Sequence, residues 1–315
     1  MANKRIFYAS HAVKVGNATV NGAQSVAVNT NFNLENIFQL GRLSAYELIS
    51  VDPDVEITIT KALDGYNTVY NLATTGGGAI VENANDTTTV IVAVGEDTNE
   101  ALNDQALVSS ITMTGCFISS INYTIPVEGN MIEEVVLVGS HKELNGAVAN
   151  PNADPNPHVL RRQNLHLANC VFPTELGDVI NKTARLSNIS ISASLNREKM
   201  FALGQVSPFH RFVNFPIEIT VAFDLIAVTN NDGVVFAPVE NECEPLVELD
   251  PQDILINLCN SASQDIYTFD FRANQTEGEG KAYLQSTSYS GGDTGGGNVT
   301  TTYTYIVYND LSITG

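Results

Sequence analysis

Apolar and polar residues alternate with a period of two along much of this 315-residue chain. The clearest run is Val55-Glu56-Ile57-Thr58-Ile59-Thr60, and Ile217-Glu218-Ile219-Thr220-Val221 has the same form in the second half. Alternation places every second side chain on one face and is typical of half-buried β-strands. Similar runs, separated by Gly and Asn, lie at residues 90–94, 117–125, 135–138, 267–271 and 303–307. The sequence therefore predicts a mainly β fold of antiparallel strands.

Two segments depart from this pattern. Residues 98–108 include Glu100-Ala101-Leu102 and Gln105-Ala106-Leu107, which favour a helix. Residues 33–41 fit either a capped helical turn or an extended strand, because short apolar runs are ambiguous by periodicity. Both interpretations of residues 33–41 stay open from the sequence.

A twelve-residue segment at 33–44 recurs without a gap at 196–207. The six identical positions are Asn33, Glu35, Phe38, Leu40, Gly41 and Ser44, which match Asn196, Glu198, Phe201, Leu203, Gly204 and Ser207. A chain of this length contains roughly one or two such windows by chance. Because further matches follow in the same order, we interpret these residues as a repeated assembly motif.

Four collinear matches follow the motif. Glu56-Ile57-Thr58-Ile59 pairs with Glu218-Ile219-Thr220-Val221, and Leu63 with Leu225. Asn71-Leu72-Ala73 pairs with Asn257-Leu258-Cys259, and Gly129-Asn130-Met131 with Gly297-Asn298-Val299. The sequence thus predicts one fold built twice, in a first domain at 1–144 and a second at 164–315. A Pro/Asn-rich linker at 145–163 joins them, and the second domain carries an insertion near 229–256.

The chain is strongly acidic, with 35 acids, 15 bases and a net charge of −20. This balance argues against electrostatic binding of nucleic acid or of an anionic membrane. Residues 62–141 contain ten acids and no Lys or Arg, and residues 212–271 contain eleven acids and no Lys or Arg. These regions are either solvated acidic loops or an acidic surface that both copies contribute to one shared feature.

Targeting and transmembrane signals are not apparent. The first residues lead into no apolar run long enough for a signal peptide, and no run reaches the roughly 18 residues of a membrane helix. We therefore expect a protein made in the cytosol. The four cysteines, Cys116, Cys170, Cys243 and Cys259, form no CxxC pair and are expected to be free thiols.

No catalytic, cofactor or metal site is predicted. The five histidines form no HExxH, and no serine lies in GxSxG. Glu240, Glu242, Glu244 and Asp250 could offer oxygen ligands to Ca²⁺, but their spacing lacks the EF-hand pattern. Paired carboxylates could serve glycoside cleavage, yet nothing in the sequence selects a pair. We expect the protein not to be an enzyme.

Two stretches carry a resemblance to a known family. The segment 31–74 contains Leu40-Gly41-Arg42-Leu43-Ser44-Ala45-Tyr46-Glu47, Pro53-Asp54-Val55-Glu56 and Tyr70-Asn71-Leu72-Ala73-Thr74. The second stretch is Ile121-Asn122-Tyr123-Thr124-Ile125-Pro126-Val127-Glu128-Gly129-Asn130, followed by Val135-Val136-Leu137-Val138-Gly139. Both resemble bacteriophage tail tube (major tail) proteins. The resemblance covers most of the first copy and extends more faintly to the second.

The resemblance implies two tandem copies of a small antiparallel β-sandwich or partial barrel, each with a short helix. Such proteins form stacked rings in which six units join their inner strands around a channel. Three double-domain chains would here give a pseudo-sixfold ring with an acidic lumen, and genomic DNA would pass through without specific binding. The implied location is the virion, after assembly in the host cytoplasm. The implied partners are further copies, a sheath where one exists, and the baseplate, terminator and tape measure proteins.

Other functions stay open from the sequence. One alternative is a tail terminator, baseplate or adaptor ring protein, which would stop after one or two rings. Another is a carbohydrate-binding β-sandwich tail module, although the chain has no Trp for an aromatic platform. An acidic glycosidase is the third.

Overall fold

The computed structural model describes residues 11–50, 52–74, 76–95, 102, 107–146, 158–177, 179–180, 185–226, 250–272, 282–291 and 298–315. The fold is mainly β, as the alternating pattern predicts. The strands of the first half are β1 (His11–Val15), β2 (Ala18–Thr19), β3 (Ala23–Asn31), β4 (Leu34–Phe38), β5 (Ala45–Ser50), β6 (Asp54–Ala62), β7 (Gly78–Ala79), β8 (Thr88–Gly95), β9 (Leu107–Pro126), β10 (Ile132–Gly139) and β11 (Glu143–Asn145).

The second half continues with β12 (Arg185–Ser194), β13 (Arg197–Met200), β14 (His210–Val213), β15 (Glu218–Ile226), β16 (Leu255–Cys259), β17 (Asp265–Asp270), β18 (Tyr283–Ser290), β19 (Thr300–Tyr308) and β20 (Ser312–Thr314). One α-helix, α1 (Val69–Ala73), lies in the first half, and short 3-10 turns occupy Arg162–Asn164, Leu167–Asn169 and Thr174–Leu176.

Eight strands form one continuous antiparallel path in the order β18-β19-β15-β12-β9-β10-β6-β3, which we call the main sheet. The 20-residue strand β9 belongs to two layers, because its first part pairs with β8 and β11 and its last part with β10 and β12. A second sheet, β16-β17-β20-β7, brings a strand of the first half beside the C-terminal strand. The sheets are open, and none closes into a barrel among the described residues.

One face of the main sheet is buried. Alternate residues of β6 and β15, such as Ile57, Ile59 and Phe223, are fully buried in a single core cluster that spans both halves. The opposite face carries the intervening polar residues, so the predicted alternation of these strands is confirmed. The ladder between β9 and β12 joins the two halves within one sheet.

The structure resolves the ambiguity at residues 33–41, which form strand β4 followed by a turn. The helix predicted at 98–108 lies mostly outside the described residues, and Leu107 already begins β9. Only the first half contains an α-helix in the described part of the chain. The match of Asn71-Leu72-Ala73 with Asn257-Leu258-Cys259 is wrong in structural terms, because the first segment lies in α1 and the second is strand β16.

Some predictions concern residues that the structure does not describe. Residues 147–157 of the predicted linker and 227–249 of the predicted insertion, with Glu240, Glu242, Glu244 and Cys243, lie outside the described residues. Cys116, Cys170 and Cys259 are free and buried. Among the described helices, none is long and apolar enough to cross a membrane. The division into two domains stays a prediction.

Candidate assembly surfaces

The main sheet consists of two four-strand groups with the same internal order. Read from one end, the second half contributes β18-β19-β15-β12, and the first half then contributes β9-β10-β6-β3. The chain segment of each group contains a two-stranded hairpin, β4–β5 in the first half and β13–β14 in the second. In each group the strand before this hairpin (β3 or β12) pairs with the strand after it (β6 or β15). Each group is completed by a further antiparallel pair, β10 with β9 or β19 with β18.

Irregularities in the ladders also coincide. The pairing of β3 with β6 skips Gln24, and the pairing of β12 with β15 skips Ser187, each seven residues before the C-terminal end of its strand. The pairing of β10 with β9 skips Ser119, and that of β19 with β18 skips Gln285. A β-bulge inserts one residue and bends the strand locally, so two bulges at matching places give both groups the same curvature.

The ladders correct the sequence alignment by two residues. Asn31 pairs with Asp54 at the end of one ladder, and Ser194 pairs with Glu218 at the end of the other. Asp54 therefore occupies the place of Glu218, rather than Glu56 as the sequence match suggested. Because the shift is an even number, every side chain keeps its predicted face of the sheet.

The repeated motif forms the same local structure twice. Residues 33–44 give strand β4 and a turn toward β5, and residues 196–207 give strand β13 and a turn toward β14. The N–H of Arg42 donates to the carbonyl of Gln39 at 3.1 Å, and the N–H of Gln205 donates to that of Ala202 at 3.2 Å. Gly41 and Gly204 both have φ +87°, which a residue with a Cβ adopts only under strain.

The motif residues lie on the surface rather than in the core. Asn33 is half-buried and donates through Nδ2 to the Asp52 carbonyl at 3.0 Å and to Asp54 Oδ2 at 2.9 Å. The other identical positions are exposed: Glu35, Phe38, Leu40, Gly41, Ser44, Asn196, Glu198, Phe201, Leu203, Gly204 and Ser207. The motif therefore specifies the shape of two projecting hairpins and leaves their side chains accessible.

The hairpin β13–β14 is held on the first half by cations that the sequence did not single out. Lys199 Nζ lies 2.5 Å from Asp54 Oδ1, and Arg211 Nη2 lies 2.8 Å from the same oxygen. Burial raises the pKa of Asp54, but hydrogen bonds from Lys199, Arg211 and Asn33 outweigh it and bring the pKa below its ordinary value. Arg211 also donates to Ser140 Oγ at 2.7 Å, so this contact fixes the second hairpin to strands of the first half.

Arg211→Ala is expected to lower the free energy of unfolding by about 3 kcal/mol, because it leaves the buried Asp52 and the half-buried Asp54 without their nearest buried cation. Chemical denaturation followed by circular dichroism measures this change. Arg42→Ala is the matched control, since Arg42 is exposed in the hairpin turn and its loss should cost less than about 0.5 kcal/mol. Equal effects of the two substitutions would contradict the anchoring role of Arg211.

The solvent-facing side of the main sheet, which we call the open face, carries small polar residues and acids, with Val136, Val138, Ala222 and Ile306 among them. The registers place Ser190, Ser192 and Thr220 on it, with neighbours such as Thr58, Thr60, Asn122, Thr302 and Thr304. The acids on this face are Asp54, Glu56, Glu134, Glu218 and Asp224. Arg185 is the only base that the described residues of its strands place on this face, and Arg197, Lys199 and Arg211 of hairpin β13–β14 line a groove with Asp54 and Glu56 at one end of the face. Its five acids therefore outnumber these four bases by one, and the open face is net negative.

The main sheet ends in two strands that are paired on one side only within the described part of the chain, β3 at one end and β18 at the other. Neither AQSVAVNTN of β3 nor YLQSTSYS of β18 contains a charge or a proline. Exposed edges in monomeric proteins are usually protected by Lys, Pro or inward charges, because unpaired backbone groups recruit other strands. Lys142 Nζ donates to Thr30 Oγ1 of β3 at 2.6 Å, but neither described edge strand carries a protecting charge or proline of its own.

The hairpin turns carry large apolar side chains in solvent. Leu40 and Leu203 occupy equivalent positions and are fully exposed, and Leu43 and Val206 are a second exposed pair. Leu203 stays exposed although the stem of its hairpin is anchored by Arg211 and Lys199. Apolar side chains grouped in this way mark a surface that another molecule covers.

A buried carboxylate, Glu133, organises helix α1. Its oxygens accept the N–H of Val69 at 2.7 Å, the N–H of Tyr70 at 3.1 Å and the hydroxyl of Tyr123 at 2.8 Å. Burial raises the pKa of Glu133, and these hydrogen bonds oppose the increase only in part. Glu133 was not among the residues predicted from the sequence, yet it lies in phase with Val135 and Leu137, so an acid on an apolar strand face was the available signal.

The described residues contain no group of three or more His, Cys, Asp or Glu side chains that could hold a metal ion. No known protein family and no curated protein matches the chain. The surfaces above, rather than a relative, are therefore the basis for a functional proposal.

Proposed function

We propose that this chain is a structural protein that assembles edge to edge into closed rings. The observation that carries this proposal is the repeated strand order of the main sheet, which ends in two edge strands without a charge or proline of their own. A head-to-tail association of unlike edges gives either a closed ring or an open filament. Closing the ring leaves no unpaired edge, and this is the general way in which β proteins avoid edge-to-edge aggregation.

We further propose that the ring is that of a bacteriophage tail tube (major tail) protein. Three chains supply six four-strand groups and hence a threefold ring with pseudo-sixfold symmetry. Twenty-four strands spaced by about 4.8 Å give a barrel roughly 40–50 Å across between backbones, which is wide enough for a DNA duplex. The resemblance of residues 31–74 and 121–139 to tail tube proteins adds to this proposal.

The open face supports the channel assignment. In a closed ring, the core lies outside the barrel and the open face lines the lumen. Its acids Glu56, Glu134, Glu218 and Asp224 repel phosphate, and its Ser, Thr and Asn side chains are short enough to leave the bore wide. A net negative wall allows DNA to pass without binding, because affinity for DNA depends on cations that neutralise phosphates.

The exposed hairpin turns support stacking of rings into a tube. Both hairpins project from the same end of the main-sheet strands, since β3 leads into β4 and β12 leads into β13. Three chains thus present six apolar turns on one end of a ring. Contact with the next ring removes Leu40, Leu43, Leu203 and Val206 from water.

The test is assembly of the purified chain, examined by size-exclusion chromatography with light scattering and by cryo-electron microscopy. We expect trimeric rings stacked into tubes, with a net negative bore. A persistent monomer, true sixfold rings of this chain or a basic lumen would refute the proposal. Rings that stop after one or two layers would instead indicate a terminator, baseplate or adaptor protein.

The double substitution Leu40→Glu with Leu203→Glu is expected to abolish tubes while leaving single rings, because it places charges where apolar turns meet the next ring. Electron microscopy counts the layers. The matched control is Gln39→Glu with Gln205→Glu, which adds the same charge at exposed neighbouring positions without removing an apolar side chain. Equal loss of tubes in both variants would show that charge alone, rather than apolar contact, controls stacking.

A further inference from the structure

The contact between the two halves of one chain provides a template for contact between chains. Inside the chain, β9 of the first half pairs with β12 of the second, with Tyr123 opposite Ile191. Strand β18 occupies in the second half the place of β9, and β3 occupies in the first half the place of β12. We propose that β18 of one chain pairs with β3 of the next copy in the register that joins β9 to β12. This inference rests on the proposed ring and specifies its interface.

The matching bulges define the register. Ser119 in β9 corresponds to Gln285 in β18, so Tyr123 corresponds to Tyr289. Gln24 in β3 corresponds to Ser187 in β12, so Val28 corresponds to Ile191. The register assigned to the interface therefore sets Tyr289 opposite Val28. The flanking pairs are Ser288 with Asn29 and Ser290 with Ala27.

Burial supports this register. Tyr123 and Ile191 are each about 1% exposed, because both lie in the core cluster, where Phe269 packs against Tyr123. Their equivalents are more exposed: Tyr289 is 70% exposed and Val28 is only half-buried. All four side chains lie on the core-facing side of the sheet, so pairing between chains would bury Tyr289 as Tyr123 is buried within the chain.

The backbone groups have the required direction. At the internal junction, Val127 N–H donates to the Ser187 carbonyl and Leu195 N–H donates to the Ser119 carbonyl, both at 2.8 Å. Odd-numbered residues of β12 therefore bond to β9, since antiparallel ladders alternate in their bonding direction. The residues of β3 that correspond to them are Val26, Val28 and Thr30, and their N–H and C=O groups point to the open edge.

The first hairpin extends the same interface. Inside the chain, the guanidinium of Arg197 lies 4.8 Å from the ring centre of Phe117. The equivalents are Leu34 and Tyr283, which are 62% and 46% exposed. The cation–π contact inside the chain would be replaced between chains by an apolar one, which would place hairpin β4–β5 on the end of the neighbour's β18.

Two grooves at equivalent places agree with this arrangement. A groove of about 260 Å³ at the internal junction is lined by Arg185–Ile189 and is closed on one side by Ile125, Pro126 and Val127. The corresponding residues of the first half, 22–26, line a groove of about 660 Å³. The larger groove is walled on its other side by His11, Ala12 and Val13 of β1 and by Ile111, and no strand pairs with the open edge of β3 there among the described residues.

The register can be tested with engineered cysteines at Asn29→Cys and Ser288→Cys in the full chain. In the proposed register Asn29 and Ser288 face each other in a non-hydrogen-bonded pair, because Val28 and Thr30 on either side of Asn29 make the hydrogen bonds. The Cα atoms of such a pair lie about 4.5 Å apart, within the range that a disulfide spans. Within one chain the two positions are separated by seven strand spacings, about 34 Å, so only a link between chains can form. After mild oxidation, we expect dimers and trimers on a non-reducing gel and no larger species, because a closed ring of three chains has no free end.

The matched control combines Asn29→Cys with Ser290→Cys, which moves one cysteine by two residues on the same face. We expect at least tenfold less cross-linking in this variant. The wild-type chain gives the background from the native cysteines. Efficient linking of the control pair, or rings seen by microscopy without linking of the first pair, would overturn the register while leaving the proposed function intact. A chain that stays monomeric would overturn both, and a ladder beyond the trimer would show an open filament.

Discussion

Val28→Pro is expected to abolish ring formation while leaving the subunit folded. The backbone N–H of Val28 points to the open edge of β3 and not to β6, so proline removes a bond between chains without breaking a ladder within the chain. Each of the three interfaces between chains loses about 1–2 kcal/mol of association free energy, which lowers the equilibrium constant for ring closure roughly a thousandfold. Sedimentation velocity across a concentration series measures this change.

Two further variants distinguish blocked pairing from unfolding. Val28→Ala removes similar side-chain contact but retains the N–H, and rings should persist. Ala27→Pro removes an N–H that points toward β6, so it should destabilise the subunit itself. If Val28→Pro and Val28→Ala assemble equally well, the edge of β3 is not the contact between chains.

Glu133→Ala is expected to lower the free energy of unfolding by about 3 kcal/mol, because it leaves the N–H groups of Val69 and Tyr70 and the hydroxyl of Tyr123 without an acceptor in the core. Urea denaturation measures the change. Glu134→Ala is the matched control, because Glu134 lies next in the chain but on the open face, and its loss should cost less than about 0.5 kcal/mol. Similar values for both variants would contradict the role of Glu133.

The raised pKa of Glu133 also predicts the pH dependence of stability. The unfolded chain releases this proton near the ordinary value of 4.5, whereas the folded chain holds it to higher pH. The folded state therefore binds more protons in this window, and the contribution of Glu133 to stability falls as pH rises from about 4.5 to the folded-state pKa. Glu133→Gln should flatten this part of the stability curve, and an unchanged slope would refute the assignment.

The sequence predicted those parts of the fold that depend on local patterns. The alternation in β6 and β15 identified both strands and their buried faces, and the twelve-residue repeat identified two segments that share a local structure without showing that both are hairpins. The helix-or-strand question at residues 33–41 was decided by pairing with β5, a contact that periodicity does not report. The alignment error at Glu56 arose because two strands with period two match equally well after a shift of two.

The candidate assembly surfaces were harder to predict from the sequence, because they depend on contacts between residues far apart in the chain. The anchoring of hairpin β13–β14 joins Lys199 and Arg211 to Asp54, which lies about 150 residues earlier in the chain. Likewise, the open face gathers acids from three strands, β6, β10 and β15, and its charge depends on which side chains share a face. The two unpaired edges become evident only when the strand order is known.

The ladder between β9 and β12 has a consequence for the order of the assembly reaction. Six separate four-strand units would have to meet to close a ring, whereas here three of the six joints form when each chain folds. These three joints form at a local concentration fixed by the covalent connection, which for short links reaches about the millimolar range. When only a small fraction of the chains is in rings, the ring concentration should therefore rise with about the third power of the chain concentration. Six separate units would give about the sixth power.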